Sequence, residues 1–105
     1  MNKPFFSIIV TTFNNDKTIE KTLNSVINQT LNNDLYEIIV IDDKSTDDTF
    51  NKLQTFNANN LTIHQLELNS GGPSAPRNLG IQLSHGHYIY LSLIHISERA
   101  GKADR

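Results

Sequence analysis

Three short stretches of this chain carry residue types suited to ligand chemistry. Asp42-Asp43 closes a strongly apolar run, Tyr36-Glu37-Ile38-Ile39-Val40-Ile41. A carboxylate at such a place can accept hydrogen bonds from a base N–H or from ribose hydroxyls. The plainer role is to cap the helix that follows. The expectation is one of each: one Asp structural, one facing a ligand. Gly71-Gly72-Pro73-Ser74-Ala75-Pro76-Arg77-Asn78 is a flexible loop entering a helix, where backbone N–H groups and the helix dipole make an anion site. Arg77 is the single arginine before residue 99, and its planar fork suits phosphates and carboxylates. It would add a charge-assisted bond worth roughly 1.5–3 kcal/mol. The plainer reading there is an ordinary turn with a surface arginine. Thr11-Thr12-Phe13-Asn14 ends the first apolar run and supplies the third stretch.

Other chemistries fail on their residues. A dinucleotide fingerprint needs Gly-x-Gly-x-x-Gly after the first strand, where Phe13-Asn14-Asn15 stands instead. A phosphate-binding P-loop needs Gly-Lys-Ser/Thr, and Gly101-Lys102-Ala103 falls in the tail. His85 and His87 have no third metal ligand nearby in sequence, so they read as surface histidines. The chain has no cysteine, which removes disulfides, thiolate metal sites and thiol nucleophiles.

The elements that must position these stretches alternate in type. Phe5 to Thr12 and Tyr36 to Ile41 are too uniformly apolar for half-exposed strands and read as central strands buried on both faces. Ile19, Leu23, Val26 and Ile27 recur on one helical face, with Asn15 or Asp16 as its cap. Thr30 to Asp34 is a polar break. Ser45 is expected to cap a second helix, with Asp47 and Asp48 in its first turn and Phe50 and Leu53 as its apolar stripe. Leu61 to Leu68 suggests a third strand with imperfect alternation. Pro76 suits a helix start, so Arg77 to Ser84 reads as a short helix with Leu79 and Leu83 inward. Gly86 breaks it, and His87 to Leu91 makes a fourth strand. The order implies an α/β fold: a Rossmann-like, mainly parallel sheet with flanking helices. Ligands of such sheets bind beyond the carboxyl ends of the strands, which picks out Thr11–Asn14, Asp42–Ser45 and Gly71–Arg77.

Composition sets the outer bounds. The 105 residues suit one small domain or a piece of a larger one. The apolar runs are too short to span a bilayer, and Met1-Asn2-Lys3-Pro4 leads straight into a strand-like run rather than a signal peptide. These features fit a cytoplasmic protein. A net charge of -2 argues against a nucleic-acid partner held by phosphate contacts. Residues 1–91 hold six Lys and Arg against nine Asp and Glu, whereas residues 92–105 hold three against two.

Taken together, the pieces resemble the nucleotide-binding half of a family 2 glycosyltransferase, a partial GT-A domain. The resemblance rests on Ser7 to Asn14, Ser25-Val26-Ile27-Asn28-Gln29-Thr30, Glu37 to Asp47, Gly71 to Ile81 and Gly86 to Tyr90. It covers about residues 4–91. Each motif is modest, but five in this order and spacing are specific. The family transfers a sugar from a nucleotide-diphospho-sugar, here read as a UDP-sugar, to a glycan or lipid-linked acceptor with inversion. The resemblance implies that Thr11, Phe13 and Asn14 lie around the base, Phe13 standing where the family often has Tyr. It implies that Asp42 or Asp43 reads the base, as for uracil N3–H, and that Arg77 sits near the base or the diphosphate. Lys44 stands where Gly or Asn is common. Asn78 and Gly80 correspond to helix-packing positions.

The resemblance stops at one point. After the fourth strand the family carries an Asp-x-Asp or Asp-Asp cluster holding Mn²⁺ or Mg²⁺ on the diphosphate, and here Ser92-Leu93-Ile94-His95-Ile96-Ser97 stands there. Residues 1–91 are therefore read as the nucleotide-sugar-binding part. Residues 92–105 are read as a tail from outside the family pattern, through a frameshift, an interrupted frame or a chimeric junction. A divergent short member with a polar tail is the plainer alternative. The acceptor site and catalytic base are expected in a half that would follow, so this chain alone is expected to be inactive. Its parent is placed in the cytoplasm or at the inner face of the membrane. An uncovered sheet edge would favour self-association. The rival readings are a non-catalytic nucleotide-binding module and an α/β interaction domain. A receiver-like fold fits poorly, because its acidic pair follows the first strand.

Overall fold

The computed structural model describes residues 4–28, 35–72 and 74–93. The polar break over 30–34 and the tail from 94 onward lie outside the described residues. Seven elements alternate as expected: β1 Phe6–Thr12, α1 Ile19–Ile27, β2 Tyr36–Asp42, α2 Thr49–Leu53, β3 Leu61–Gln65, α3 Ser74–Leu83 and β4 Tyr88–Leu93. The four strands form one sheet in the order β3-β2-β1-β4, and every pairing is parallel. Phe6 aligns with Tyr36 and with Tyr88, and Asp42 aligns with Thr12 and with Gln65.

The two uniformly apolar runs are the two central strands, because only a central strand needs both faces apolar. Their alternation separates two cores. Ile8 and Val10 of β1 and Ile38 and Val40 of β2 share one face with Ile19 and Leu23 of α1 and Leu53 of α2. Ile9 points the other way, against α3 at Gly80. Connections from β1 to β2 and from β2 to β3 step in one direction along the sheet. The connection through α3 returns across β2 and β1 to reach β4. With right-handed crossovers this reversal puts α3 on the opposite face. The sheet therefore reverses its winding beside β1, and that switch point is where such folds open a crevice.

Several elements differ from the sequence reading, each for a local reason. β3 stops at Gln65 because β2 offers no partner beyond Asp42. Leu66 makes the last backbone bond, to the Asp42 carbonyl at 2.9 Å, and Leu68 is 81% exposed. α3 begins three residues before Arg77, since Pro76 in a first turn lacks only an N–H that has no helical acceptor anyway. Its buried seam is Pro76 and Gly80, one turn apart, whereas Leu79 and Leu83 are half-buried. Asn78 is exposed and does not pack. β4 runs two residues past Leu91, pairing Ser92 and Leu93 with Val10 and Thr11. It leaves Tyr88, Ile89 and Tyr90 exposed.

Gly86 does more than end a helix. Its N–H donates to Ser7 Oγ at 2.8 Å, and a Cβ there would lie 2.7 Å from the Phe6 carbonyl carbon and the Ser7 nitrogen. Ser7 Oγ in turn donates to Glu37 Oε2 at 2.6 Å. The same oxygen accepts the His85 N–H at 2.6 Å, and His85 Nδ1 lies 3.2 Å from Glu37 Oε1. One carboxylate thus ties the amino ends of β1 and β2 to the α3–β4 link. Partial burial on its own would raise the Glu37 pKa, but these hydrogen bonds and His85 outweigh it and hold the carboxyl below its ordinary value.

Two predictions follow from this packing. A Cβ at position 80 would overlap the Ile9 Cγ2 methyl, so overpacking of about 1–3 kcal/mol outweighs the ~1 kcal/mol gain in helix propensity. Gly80→Ala therefore lowers stability in urea denaturation. Gly86→Ala lowers it further, because backbone rather than a side chain must move. For Glu37 the folded pKa is depressed, so its contribution is complete above the ordinary carboxylate value and is lost as pH falls through the folded value. The urea midpoints of wild type and Glu37→Gln are expected to differ at pH 7 and to converge as the pH falls below the ordinary carboxylate range.

Candidate nucleotide-binding site

At the carboxyl end of the sheet the loops after β1 and β2 are stitched together. Asp43 N–H donates to the Thr12 carbonyl at 2.9 Å, continuing the ladder past the strands. Asn14 adopts a left-handed φ of 52°, a conformation that Asn tolerates better than most residues. Its N–H donates to Ser45 Oγ at 2.9 Å, and its Oδ1 accepts the Thr46 N–H at 2.8 Å. Asn15 is buried. Its Oδ1 accepts from Thr12 Oγ1 at 2.7 Å and from the Phe13 N–H at 3.0 Å, while its own N–H reaches Thr49 Oγ1 at 2.8 Å. Lys52 Nζ donates to the Asp16 carbonyl at 2.6 Å.

These contacts correct the expected caps. Thr18 holds the N-cap position of α1 but its side chain does not cap the helix, and Asn15 contributes its carbonyl to the Ile19 N–H at 2.8 Å. Ser45 caps no helix, because Asp42 captures it. Asp47 serves α2 instead, accepting both the Thr49 N–H, at 2.9 Å, and the Thr49 hydroxyl. Slight burial would raise the Asp47 pKa, but those bonds and the Asp16 N–H hold it below its ordinary value.

The two adjacent carboxylates do different work. Asp42 is 0% exposed. Its carboxylate accepts from the Ser45 hydroxyl, from the Ser45 N–H at 3.0 Å and from Gln65 Nε2 at 3.0 Å. Asp43 is 5% exposed, and both its oxygens face the loop after β3. Oδ1 accepts the Ser70 N–H at 2.9 Å, Oδ2 accepts the Ser70 hydroxyl at 2.8 Å, and the Asp43 carbonyl accepts Asn69 Nδ2 at 2.9 Å. Each Asp43 oxygen keeps a second lone pair.

Thr11, Phe13, Asn14, Asp42 and Asp43 thus gather at one end of the sheet, and Ser70 brings the glycine loop to them. By the alternation along β1, Thr11 shares the face of Ile9, the face that α3 covers. It is 1% exposed, and its hydroxyl is the one buried side-chain polar atom without a hydrogen bond among the described residues. Phe13 is half-buried. Arg77 is half-buried in the first turn of α3, and its guanidinium makes no ion pair or hydrogen bond with the described residues. Asn15, Gln65, Asn69 and Ser70 were missed as supporting residues. The signal for Asn15 was its place just past a buried strand, but it was spent on a cap.

No three metal-ligating side chains gather among the described residues, so these residues do not fit the divalent ion expected from the family. No helix among them is long and apolar enough to cross a membrane.

A parallel α/β sheet with acidic and hydroxyl groups at its switch point defines a nucleotide-binding type of architecture. Comparison with known proteins gives the family: the model for "Glycosyl transferase family 2" matches residues 7–92, and the chain belongs to it. It is 41% identical over 85 residues to the poly(ribitol-phosphate) beta-N-acetylglucosaminyltransferase TarS of Staphylococcus aureus strain Mu50, covering 80% of this chain and 15% of that one. It is 40% identical over 85 residues to the poly(ribitol-phosphate) beta-glucosyltransferase of Bacillus spizizenii, covering 79% and 13%. The chain therefore spans only a small part of these relatives' length. The crystal structure of S. aureus TarS 1–349 in complex with UDP-GlcNAc superposes with a TM-score of 0.79 at 34% identity, over 92% of this chain and 30% of that one. A mannosyltransferase from Pyrobaculum calidifontis in complex with GDP-Man and Mn²⁺ superposes with a TM-score of 0.63 at 26% identity, over 75% and 24%.

The backbone of the turn yields a test of its own. Lys44 is exposed and has a φ of 60°. A side chain in that region costs about 1–2 kcal/mol, offset by the ~0.5–1 kcal/mol of extra chain entropy that glycine brings. Lys44→Gly is expected to raise stability by about 0.5–1 kcal/mol. Lys44→Val lowers it, as β-branching worsens the strain. Thermal unfolding of the three proteins decides.

Proposed function

We propose that this chain is the donor-binding part of an inverting glycosyltransferase that takes a UDP-sugar. The observation that carries the reading is Asp43. It is an almost fully buried carboxylate at the carboxyl end of the sheet, with lone pairs to spare on both oxygens, whereas Asp42 is committed to Ser45 and Gln65. A uracil N3–H is a donor of the kind such a carboxylate accepts. The Thr11 hydroxyl, without a partner among the described residues, is left for the same base, and the Phe13 ring offers it a stacking face. Arg77 supplies a charge suited to the diphosphate.

The relatives support the substrate class to different depths. The S. aureus TarS structure holds UDP-GlcNAc, which favours a uridine nucleotide. Two relatives of similar identity share poly(ribitol-phosphate) in their names but differ in the sugar, N-acetylglucosamine against glucose. The reading therefore extends to a polyol-phosphate acceptor and leaves the hexose open. In an inverting transfer the acceptor hydroxyl loses its proton to a base as its oxygen attacks the anomeric carbon, and the nucleoside diphosphate leaves. The residues argued above serve the donor alone, so the chain is proposed to bind nucleotide and not to transfer sugar.

Calorimetric titration with UDP tests this. Wild type is expected to bind without added metal. Asp43→Asn keeps one acceptor oxygen for Ser70 and should weaken UDP about tenfold or more, the scale of a lost bond to a charged group. Thr11→Val removes a buried hydroxyl that lacks a partner, so it should raise stability by about 1 kcal/mol while weakening UDP. Asp42→Asn should chiefly lower stability. A folded wild-type chain with no affinity for UDP overturns the reading.

A further inference from the structure

We infer that Ser70 is a positioning residue that sets base specificity by clamping the Asp43 carboxylate. The inference rests on the reading that Asp43 receives the donor base. A carboxylate held by one bond can turn about its Cβ–Cγ bond. Asp43 is held by two from a single residue: the Ser70 N–H reaches Oδ1 at 2.9 Å and the Ser70 hydroxyl reaches Oδ2 at 2.8 Å. One donor per oxygen fixes the plane of the group and leaves one lone pair on each. The Ser70 hydroxyl has a second acceptor in reach, the Gly72 carbonyl at 2.7 Å. Its single proton goes to the ionised group, because a charged acceptor makes the stronger bond. The Ser70 side is itself anchored, since Asn69 Nδ2 donates to the Asp43 carbonyl and Asn69 Oδ1 accepts the Gly71 N–H at 3.0 Å.

The consequence lies in the chemistry of the pyrimidines. Uracil presents an N–H at N3, where cytosine presents a lone pair. Cytosine also has an amino group at C4, a donor that carboxylates accept well. A carboxylate fixed toward N3 therefore accepts uracil and repels cytosine. A carboxylate free to swing reaches the cytosine amino group instead. The clamp, rather than the negative charge alone, makes the site selective.

The test compares UDP and CDP by calorimetry on the whole chain. Ser70 is exposed, so its substitution spares the core. Ser70→Ala keeps the N–H and loses the hydroxyl, and Ser70→Thr keeps both. The UDP-over-CDP affinity ratio is expected to fall about fivefold in Ser70→Ala, the scale of one hydrogen bond, and to return in Ser70→Thr. Asp43→Asn is the reference for the underlying reading. If Asp43→Asn leaves the ratio at its wild-type value, the assignment of Asp43 to the base fails. If Asp43→Asn collapses the ratio while Ser70→Ala keeps it, or lowers both affinities equally, the positioning role of Ser70 fails and Asp43 stands.

Discussion

A wholly buried carboxylate is the constraint on which this end of the molecule depends. Removing an ionised group from water costs several kcal/mol unless hydrogen bonds replace the lost solvation. Asp42 is in that position at the end of a central strand, and it draws in the Ser45 hydroxyl, the Ser45 N–H and the Gln65 amide. Those bonds bend the chain back within three residues, which is why Lys44 takes a left-handed φ. The bend also presents Ser45 Oγ to the Asn14 N–H, so the loop after β1 takes its position from the same carboxylate. Asp43 is then left pointing toward the loop after β3, where Ser70 meets it. One buried charge thus sets three loops, and the group proposed to face the ligand is the neighbour of that charge.

The parts of this arrangement differ in how clearly the sequence announced them. The central strands were plain, because Ile8-Ile9-Val10 and Ile38-Ile39-Val40-Ile41 are apolar without alternation and only burial on both faces explains that. Their parallel pairing followed from the intervening helix. The loops were harder, since Ser, Asn and Asp all serve equally well as helix caps and as long-range hydrogen-bond partners. Ser45 and Asn15 look like caps in the chain and act as cross-loop ties in the fold, with partners 31 and 34 residues away. No local pattern encodes a partner at that distance.

The pair Asp42-Asp43 shows a different limit. Adjacent residues in an extended chain point to opposite faces, so the two carboxylates meet different partners. Which of them meets Gln65 depended on register, set by the pairing of Thr12 with Asp42 and of Asp42 with Gln65. Gln65 gave no hint of its role, lying at the end of a strand whose alternation is imperfect. Gly80 was legible as a packing position but Asn78 was not distinguishable from it, because the seam of α3 is Pro76 and Gly80 rather than a leucine stripe.

The topology explains why selective chemistry gathers beside β1. Helices α1 and α2 cover one face of the sheet, and α3 covers the other after the chain reverses direction. At such a reversal, here beside β1, folds of this kind place their ligand crevice. Thr11 lies on the α3 side of β1, and its hydroxyl has no partner among the described residues, whose other buried side-chain polar atoms are all hydrogen-bonded. A hydroxyl in a dry interior without a partner costs about 1–3 kcal/mol, and valine would fit the same space at no such cost. Stability alone therefore favours valine at position 11. Threonine is the better residue only if its hydroxyl is used, which is the role proposed for it beside the donor base.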